Sequence, residues 1–460
     1  MPELSPAKKA VYAWGDHTVN TSLGALSLVF LFFLTEIAGL DPLYAGAVVW
    51  IARVFDAVTD PLMGRISDGT RWRIGRRRPF FFIGVLPFGA SFSLLWTTPF
   101  EGQLAMFGYY SLSYMALSLS TTILSVPYLA LIPEMAKSYD ERTSLNTFRS
   151  GAAVLGTVVA AAMPKLVEAL GGGAAGYALA GSVLGVWLIL PWPAVFAVSF
   201  ERPQEHNTRQ EGSVFQGMRE LAQHPSYLRL CALFLTCRIS VDVVGLSFLF
   251  YFTYWLKRPG DFSLTLFCML AVVVVSLPFW LAIAKHHDKH KLFCVGASWW
   301  VLIQLGMLAV TPEWPRASIF LFAALAGVGY AMADLMPWAM VGEVIDEDEL
   351  RCGVRREGLY NGTFTFVRKA GGATAYLLAG LFLKAAGYVQ NAGPGVEQPE
   401  SALLAIRLLT CLVPAIFLCI AIALAWHYPL SRRRHQEILA ALDARHSRLR
   451  DEAQPEEEAT

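Results

Sequence analysis

Asp56 and Asp60 carry the most chemistry in this chain. They lie in Ile51-Ala-Arg-Val-Phe-Asp-Ala-Val-Thr-Asp-Pro-Leu-Met-Gly64, an otherwise apolar stretch. On a helix they share one face, one turn apart. A carboxylate at the centre of a bilayer costs roughly 2.5–3.5 kcal/mol on insertion scales unless something neutralises it, and two on one face also repel each other. Such a pair persists only with a cation, a proton or a basic side chain beside it. Arg53 lies on the same helical stripe and is the fixed candidate. After Arg53 one net negative charge remains, which suits one monovalent cation, so fixed and mobile neutralisation are compatible.

Other charges inside apolar runs ask the same question. Arg238 and Asp242 have the spacing of an ion pair on one helix. Asp334, in Tyr330-Ala-Met-Ala-Asp-Leu-Met-Pro337, has no partner nearby in sequence. It is expected to face a cavity, to pair with Lys369 or Arg368, or to contact a polar solute. His286, His287 and His290 alternate with Lys285, Lys289 and Lys291. That much positive charge predicts a solvated loop, not a metal site. No Walker sequence and no nucleophile–base constellation is present, so neither ATP-driven transport nor an enzyme is expected, and no cofactor or metal.

The elements that must position these residues are membrane spans. Of 460 residues 55% are hydrophobic and 16% charged; soluble domains carry about 25% charged residues. Mean hydropathy is +0.46. Seven cysteines without paired spacing read as small core residues. A net charge of +1 gives no reason to expect a nucleic-acid partner. Apolar runs predict an all-α membrane protein with twelve transmembrane helices, near 12–36, 43–66, 79–98, 104–132, 147–170, 176–200, 226–256, 261–286, 292–311, 317–345, 358–386 and 403–428. Arg71, Arg73, Arg76, Arg77 and Arg78 fall in the second inter-span loop, and further Lys and Arg in the eighth and tenth. The first and third loops hold none. Both termini are therefore expected in the cytoplasm. The long polar stretch 201–225 divides the chain into two six-helix halves, 1–200 and 226–430, with a charged cytoplasmic tail at 431–460. Gln436–Arg445 has the pattern of an amphipathic helix on the membrane surface.

Gly64-Arg-Ile-Ser-Asp68, Arg71 and Gly75-Arg-Arg-Arg-Pro79 resemble the gating loop between spans two and three of the major facilitator superfamily, with Gly64, Asp68, Arg71, Gly75, Arg76 and Arg77 on its positions. Asp56-Ala-Val-Thr-Asp60-Pro-Leu-Met-Gly64 is similar to span two of the glycoside–pentoside–hexuronide:cation symporters, the melibiose-permease family. Tyr12-Ala-Trp-Gly-Asp16, Thr35-Glu-Ile-Ala-Gly-Leu40, Val126-Pro-Tyr-Leu-Ala-Leu-Ile-Pro133 and Met336-Pro-Trp-Ala-Met-Val-Gly-Glu-Val-Ile-Asp346 resemble other parts of that family, so the likeness covers the fold from about 10 to 385. It implies a cation site of Asp56, Asp60 and Thr122. The family's third acid falls on Ser125, which carries no charge but whose oxygen can still join the cation site as a ligand for Na⁺; with two carboxylates, protonation of one serves equally, so Na⁺ and H⁺ both stay open as coupling ion. Lys369 falls on a family lysine beside the cation and solute sites, and with Arg53 is expected to couple them. Arg149 falls on an arginine that reaches the sugar. The family's span-one Asp falls on Asn20, and its stacking aromatic on Leu129 with Tyr128 beside it. Asn20, Tyr128, Arg149, Asp334 and Trp338 are the expected solute contacts, with Thr122 a further hydroxyl within reach.

The expectation is a secondary symporter of the plasma membrane, the inner membrane in a bacterium. It acts as a monomer among membrane lipid and carries a small polar solute such as a glycoside by alternating access. The alternative is a cation-coupled carrier of an amphipathic solute such as a lysophospholipid, because animal lysophospholipid carriers share the span-two acids and the span-eleven lysine.

Overall fold

The computed structural model describes residues 4–136, 138–201, 221, 223–284, 286–354, 356–391 and 397–453. Among them every regular element is helical, apart from one isolated bridge between Trp72 and Gly75. The first eight helices are α1 (Pro6–Ala25), α2 (Pro42–Gly69), α3 (Pro79–Leu94), α4 (Gln103–Met135), α5 (Tyr139–Ala161), α6 (Met163–Ala169), α7 (Gly173–Ile189) and α8 (Trp192–Val198). α9 (Pro225–Phe250), α10 (Phe262–Ala284), α11 (Lys289–Met307), α12 (Arg316–Cys352), α13 (Glu357–Ala385), α14 (Glu400–Arg407), α15 (Val413–Trp426) and α16 (Arg432–Ala453) follow. Single π-helical turns extend α1 through Leu26–Phe30 and Phe33–Ile37, and α9 through Tyr251–Trp255.

Local chemistry explains the boundaries. Asp41 caps α2 by accepting from the Leu43 N–H at 2.9 Å, with Pro42 as first helical residue. Ser138 caps α5 in the same way, accepting from Glu141. Pro164 stands at the start of α6, where α5 and α6 bend by 40°. α12 ends on Gly353 at φ +77°, a left-handed position that only glycine takes cheaply.

Each of the twelve expected spans falls on helix. Among the described residues seven helices are long and apolar enough to cross a bilayer, and eight if α5 and α6 form one bent span. The helices at 6–37, 79–94, 289–307 and 357–385 are not among them. α1 holds Asp16, His17 and Asn20, and α13 holds Arg368 and Lys369, which lower their apolarity.

The chain forms two compact units. The first is Met1–Thr208 with Asp242–Phe267 and Ala373–Thr410; the second is Arg209–Val241, Cys268–Gly372 and Cys411–Thr460. In the first, α1 packs along α5, α2 along α4, and α3 against α4 and α7. α1 and α5 approach so closely that a Cβ on Gly156 would collide with the His17 carbonyl. The C-terminal half of α13 also lies close to α2, where a Cβ on Gly46 would sit 2.7 Å from the Tyr376 carbonyl oxygen. In the second unit α11 packs on α12 and α15. α16 corrects one expectation. It is helical, but only part of its apolar side is left for a membrane surface: Leu439 is 41% exposed, while Ile438 and Leu442 are buried in a cluster with Tyr227, Val344, Ile345, Tyr360 and Tyr428. Covering that cluster removes more apolar area from water than a free tail helix would. The linker expected at 201–225 falls mostly outside the described residues.

Candidate cation and solute site

α2 and α4 build the acidic site. Asp56 is 4% exposed. Ser118 Oγ donates to Asp56 Oδ1, and Thr122 Oγ1 donates to Asp60 Oδ1 at 2.7 Å. Both partners are 62 residues apart, so the helices run parallel and the Asp56–Asp60 spacing is repeated by Ser118–Thr122. Two rungs of carboxylate and hydroxyl result, one helical turn apart. Arg53 Nη1 stands 3.6 Å from Asp56 Oδ2, on the side of the carboxylate away from Ser118. Pro61 interrupts α2 just beyond Asp60 and has no N–H to give the Ala57 carbonyl. Ser125 lies half-buried on α4.

A second charged group joins α1, α4 and α5. Arg149 grips Asp16 with two prongs, Nε to Oδ2 at 2.6 Å and Nη2 to Oδ1 at 3.0 Å. Its Nη1 reaches Asn146 Oδ1 at 2.7 Å. The Tyr128 hydroxyl shares its proton between Asp16 Oδ2 at 2.7 Å and the Tyr12 carbonyl at 2.9 Å. The Tyr12 hydroxyl donates back to the Tyr128 carbonyl at 2.6 Å, and the two rings stack with centroids 4.4 Å apart. Tyr128 is therefore 1% exposed, a core residue here and not an open stacking surface. Asn20 Nδ2 donates to the Asp16 carbonyl at 2.8 Å.

Asp334, Trp338 and Lys369 belong to the second unit. Asp334 sits 3.4 Å from Arg238 on α9. α9 and α12 meet at this level, since Cys237 Sγ also donates to the Ala333 carbonyl at 3.5 Å. Trp338 is 36% exposed, with its ring against Phe234 and Phe364. Lys369 is half-buried on α13.

The arginine-rich loop is tied down by acids. Arg76 Nη2 and Arg77 Nη1 each lie 2.6 Å from Glu134 Oε1. The Glu201 carboxylate accepts the backbone N–H groups of Arg76, Arg77 and Arg78 at 2.7, 2.8 and 2.9 Å, at the N-terminus of α3 where an anion is favoured. Gly75 turns at φ +122°. Gly64 faces Val126 on α4, and Arg71 is exposed. Asp68 is helical, with its side chain outside the described residues.

The sequence matches the family described as MFS/sugar transport protein over residues 11–432. The chain belongs to that family. It is an integral membrane transporter of the major facilitator type. It is 29% identical to the glucuronide carrier protein homolog of Escherichia coli K12, with 94% of each chain covered. It is 26% identical to the sodium-dependent lysophosphatidylcholine symporter 1 of Gallus gallus, covering 95% of this chain and 89% of that one. The fold resembles the inward-facing crystal structure of a bacterial homologue of the human lysosomal transporter Spinster, at TM-score 0.69 and 12% identity over 95% of this chain and 99% of that one.

In this MFS-family chain several contacts escape a reading by motif. Ser118 lies one turn before Thr122, and that spacing alone was the clue. Asp16 stands in a quoted motif, but nothing in the sequence pairs it with Arg149. Glu36, 8% exposed, receives hydroxyl hydrogen bonds from both Tyr254 and Tyr388 within the first unit. Those tyrosines are 218 and 352 residues away, beyond any local signal.

Proposed function

We propose that this chain is a secondary active symporter that couples Na⁺ or H⁺ entry to uptake of a sugar or glycoside across the plasma (bacterial inner) membrane. Twelve spans with both termini in the cytoplasm, and alternating access of the halves 1–200 and 226–430 about the linker 201–225, complete the reading. The cation binds at Asp56, Asp60 and Thr122, with Ser125 close by on α4. Arg53 and Lys369 couple cation to solute, and Asn20, Asp334 and Trp338 serve the solute; Tyr128, 1% exposed, and Arg149, clamped on Asp16, serve it by fixing α1, α4 and α5 around the site. Gly64, Asp68, Arg71, Gly75, Arg76 and Arg77 form the gating loop. The protein works as a monomer.

The single observation that carries the reading is the doubled carboxylate–hydroxyl rung between α2 and α4. A buried acid and a half-buried one, both held by hydroxyls within an apolar helix, are costly as structure, and they suit exchange of a positive ion. A lysophospholipid-like solute is the second reading. Leu129, 49% exposed where a stacking aromatic is expected, and the likeness to the lysophosphatidylcholine symporter favour it.

The test is uptake of a labelled panel of glycosides and lysolipids into vesicles under imposed Na⁺ or pH gradients. In a coupled carrier cation and solute raise each other's affinity by about 5–150-fold. Asp60→Asn should remove that enhancement and abolish gradient-driven accumulation while exchange of solute down its own gradient persists. Unchanged accumulation in Asp56→Asn and Asp60→Asn would end the coupling scheme.

A further inference from the structure

The geometry points to Ser118 as a fourth member of the cation site and to an alkali cation, Na⁺ rather than H⁺, as the ion that site holds. The inference deepens the symport reading and rests on it. Ser118 Oγ and Thr122 Oγ1 stand one turn apart on α4, each on one of the two α2 acids. Ser118 is 7% exposed and Thr122 2%, so neither hydroxyl is there to meet bulk water. Four oxygen-bearing side chains thus line one seam between α2 and α4, buried at Asp56, Ser118 and Thr122 and half-buried at Asp60, in two rungs one turn apart.

A proton needs one acceptor and at most one further partner. A hard cation needs several oxygens at once, from carboxylates, carbonyls and hydroxyls. The seam offers that number. Its hydroxyls have the second property required, because a serine or threonine oxygen both donates and accepts. With no cation each hydroxyl donates to its acid. When a cation enters, the same oxygen turns its lone pairs to the ion, and the acid oxygen exchanges a proton donor for a positive charge. The hydroxyl proton then turns to the backbone carbonyl one turn back, an acceptor that helical serine and threonine commonly use. Arg53, 3.6 Å from Asp56, opposes a doubly charged ion, so the fit is to a monovalent one. Ser118 takes the place of the acid that position 125 lacks, supplying an oxygen without adding charge.

The first measurement needs no solute, and uptake in the vesicles described above supplies the second. Full-length protein is purified in detergent, and its thermal midpoint is followed as NaCl replaces choline chloride at constant ionic strength. A ligand that binds only the folded state raises the midpoint with concentration. The wild type should be stabilised by Na⁺, and Asp60→Asn should not respond. Ser118→Ala should need about 10–100-fold more Na⁺ for the same shift, as for loss of a group around a bound metal ion. Ser118→Thr, which restores the hydroxyl, should recover most of the response; a packing defect would not be repaired by the added methyl. An identical Na⁺ response in Ser118→Ala and wild type overturns the role of Ser118. A wild type indifferent to Na⁺ and Li⁺, whose transport runs on a pH gradient and still needs Asp60, overturns the alkali cation and leaves the symport reading standing. Loss of every cation effect on transport would remove the symport reading itself.

Discussion

Two carboxylate sites in the first unit are built from the same acid and behave as opposites. Asp16 is held by a guanidinium through two bonds, at 2.6 and 3.0 Å. Asp56 and Asp60 are held by the hydroxyls of Ser118 and Thr122, with the Arg53 guanidinium 3.6 Å from Asp56, longer than a hydrogen bond and not a two-pronged grip. A guanidinium only donates, carries fixed charge and cannot become a cation ligand. A hydroxyl can reverse its role. The difference teaches where movement is possible: Asp16 and Arg149 cannot part without leaving a charge stranded, whereas the α2–α4 rungs can open around a positive ion and close again. Asp16 and Arg149 therefore read as the fixed frame joining α1 to α5, and the acid pair on α2 as the working part.

The largest expected effect tests the fixed side. Arg149→Met strands the half-buried Asp16 carboxylate, which costs about 3 kcal/mol, the low end of the range for losing one partner of a fully buried pair. Ser118→Ala removes one hydrogen bond to a charged group, worth about 1.5–3 kcal/mol. Thermal unfolding of both variants in choline chloride should rank them in that order. Adding Asp16→Asn to Arg149→Met should recover much of the loss, since the stranded charge is gone. Equal costs for Arg149→Met and Ser118→Ala would erase the distinction between frame and working part.

Glu36 sharpens the comparison because it is also held by hydroxyls, those of Tyr254 and Tyr388. These partners come from the ends of α9 and α13, so the contact ties span one to distant parts of the chain. By the reasoning above it is a releasable tie and not a frame. Tyr388→Phe removes one bond to the carboxylate, about 1.5–3 kcal/mol. The loss should be local, seen as faster amide hydrogen exchange over Phe33–Ile37 with the exchange of α3 and α7 unchanged. A global rise in exchange would place Glu36 with Asp16.

The helices were legible because apolar length is a strong signal and because Pro42, Asp41, Ser138 and Gly353 mark boundaries by rules that act within one turn. Asp56, Asp60 and Thr122 were legible because an acid pair in an apolar helix is rare. Ser118 was not: α4 also carries Ser111, Ser113, Ser120 and Ser125, and only the register of α4 on α2 separates one serine from the others. The hold of Glu36 and the pairing of Asp334 with Arg238 depend on which helices meet, and no local pattern encodes that. The tail misled for a related reason. An apolar stripe on a short helix shows that something will cover it, and both a membrane surface and the cluster around Tyr360 answer the description.

The smallest effect brings in the second unit, where Glu347 faces a partner whose donor count changes with pH. His224 Nε2 lies 3.6 Å from Glu347, just ahead of α9. Burial pushes the His224 imidazole below its ordinary 6.5, more strongly than Glu347 pulls it up. Above that ordinary value His224 is neutral whether the chain is folded or not, and it contributes no pH dependence. As pH falls through it the unfolded chain takes up a proton that the folded chain resists, so stability declines toward the lower folded value and then levels off. His224→Gln should flatten the fall of the thermal midpoint between about pH 7 and pH 5, the range in which histidine titrates. The shift should be smaller than those of Arg149→Met and Tyr388→Phe. A steeper fall in the variant would mean that protonated His224 gains more from Glu347 than burial costs it, and a titrating partner would then belong with the guanidinium and not between the two kinds.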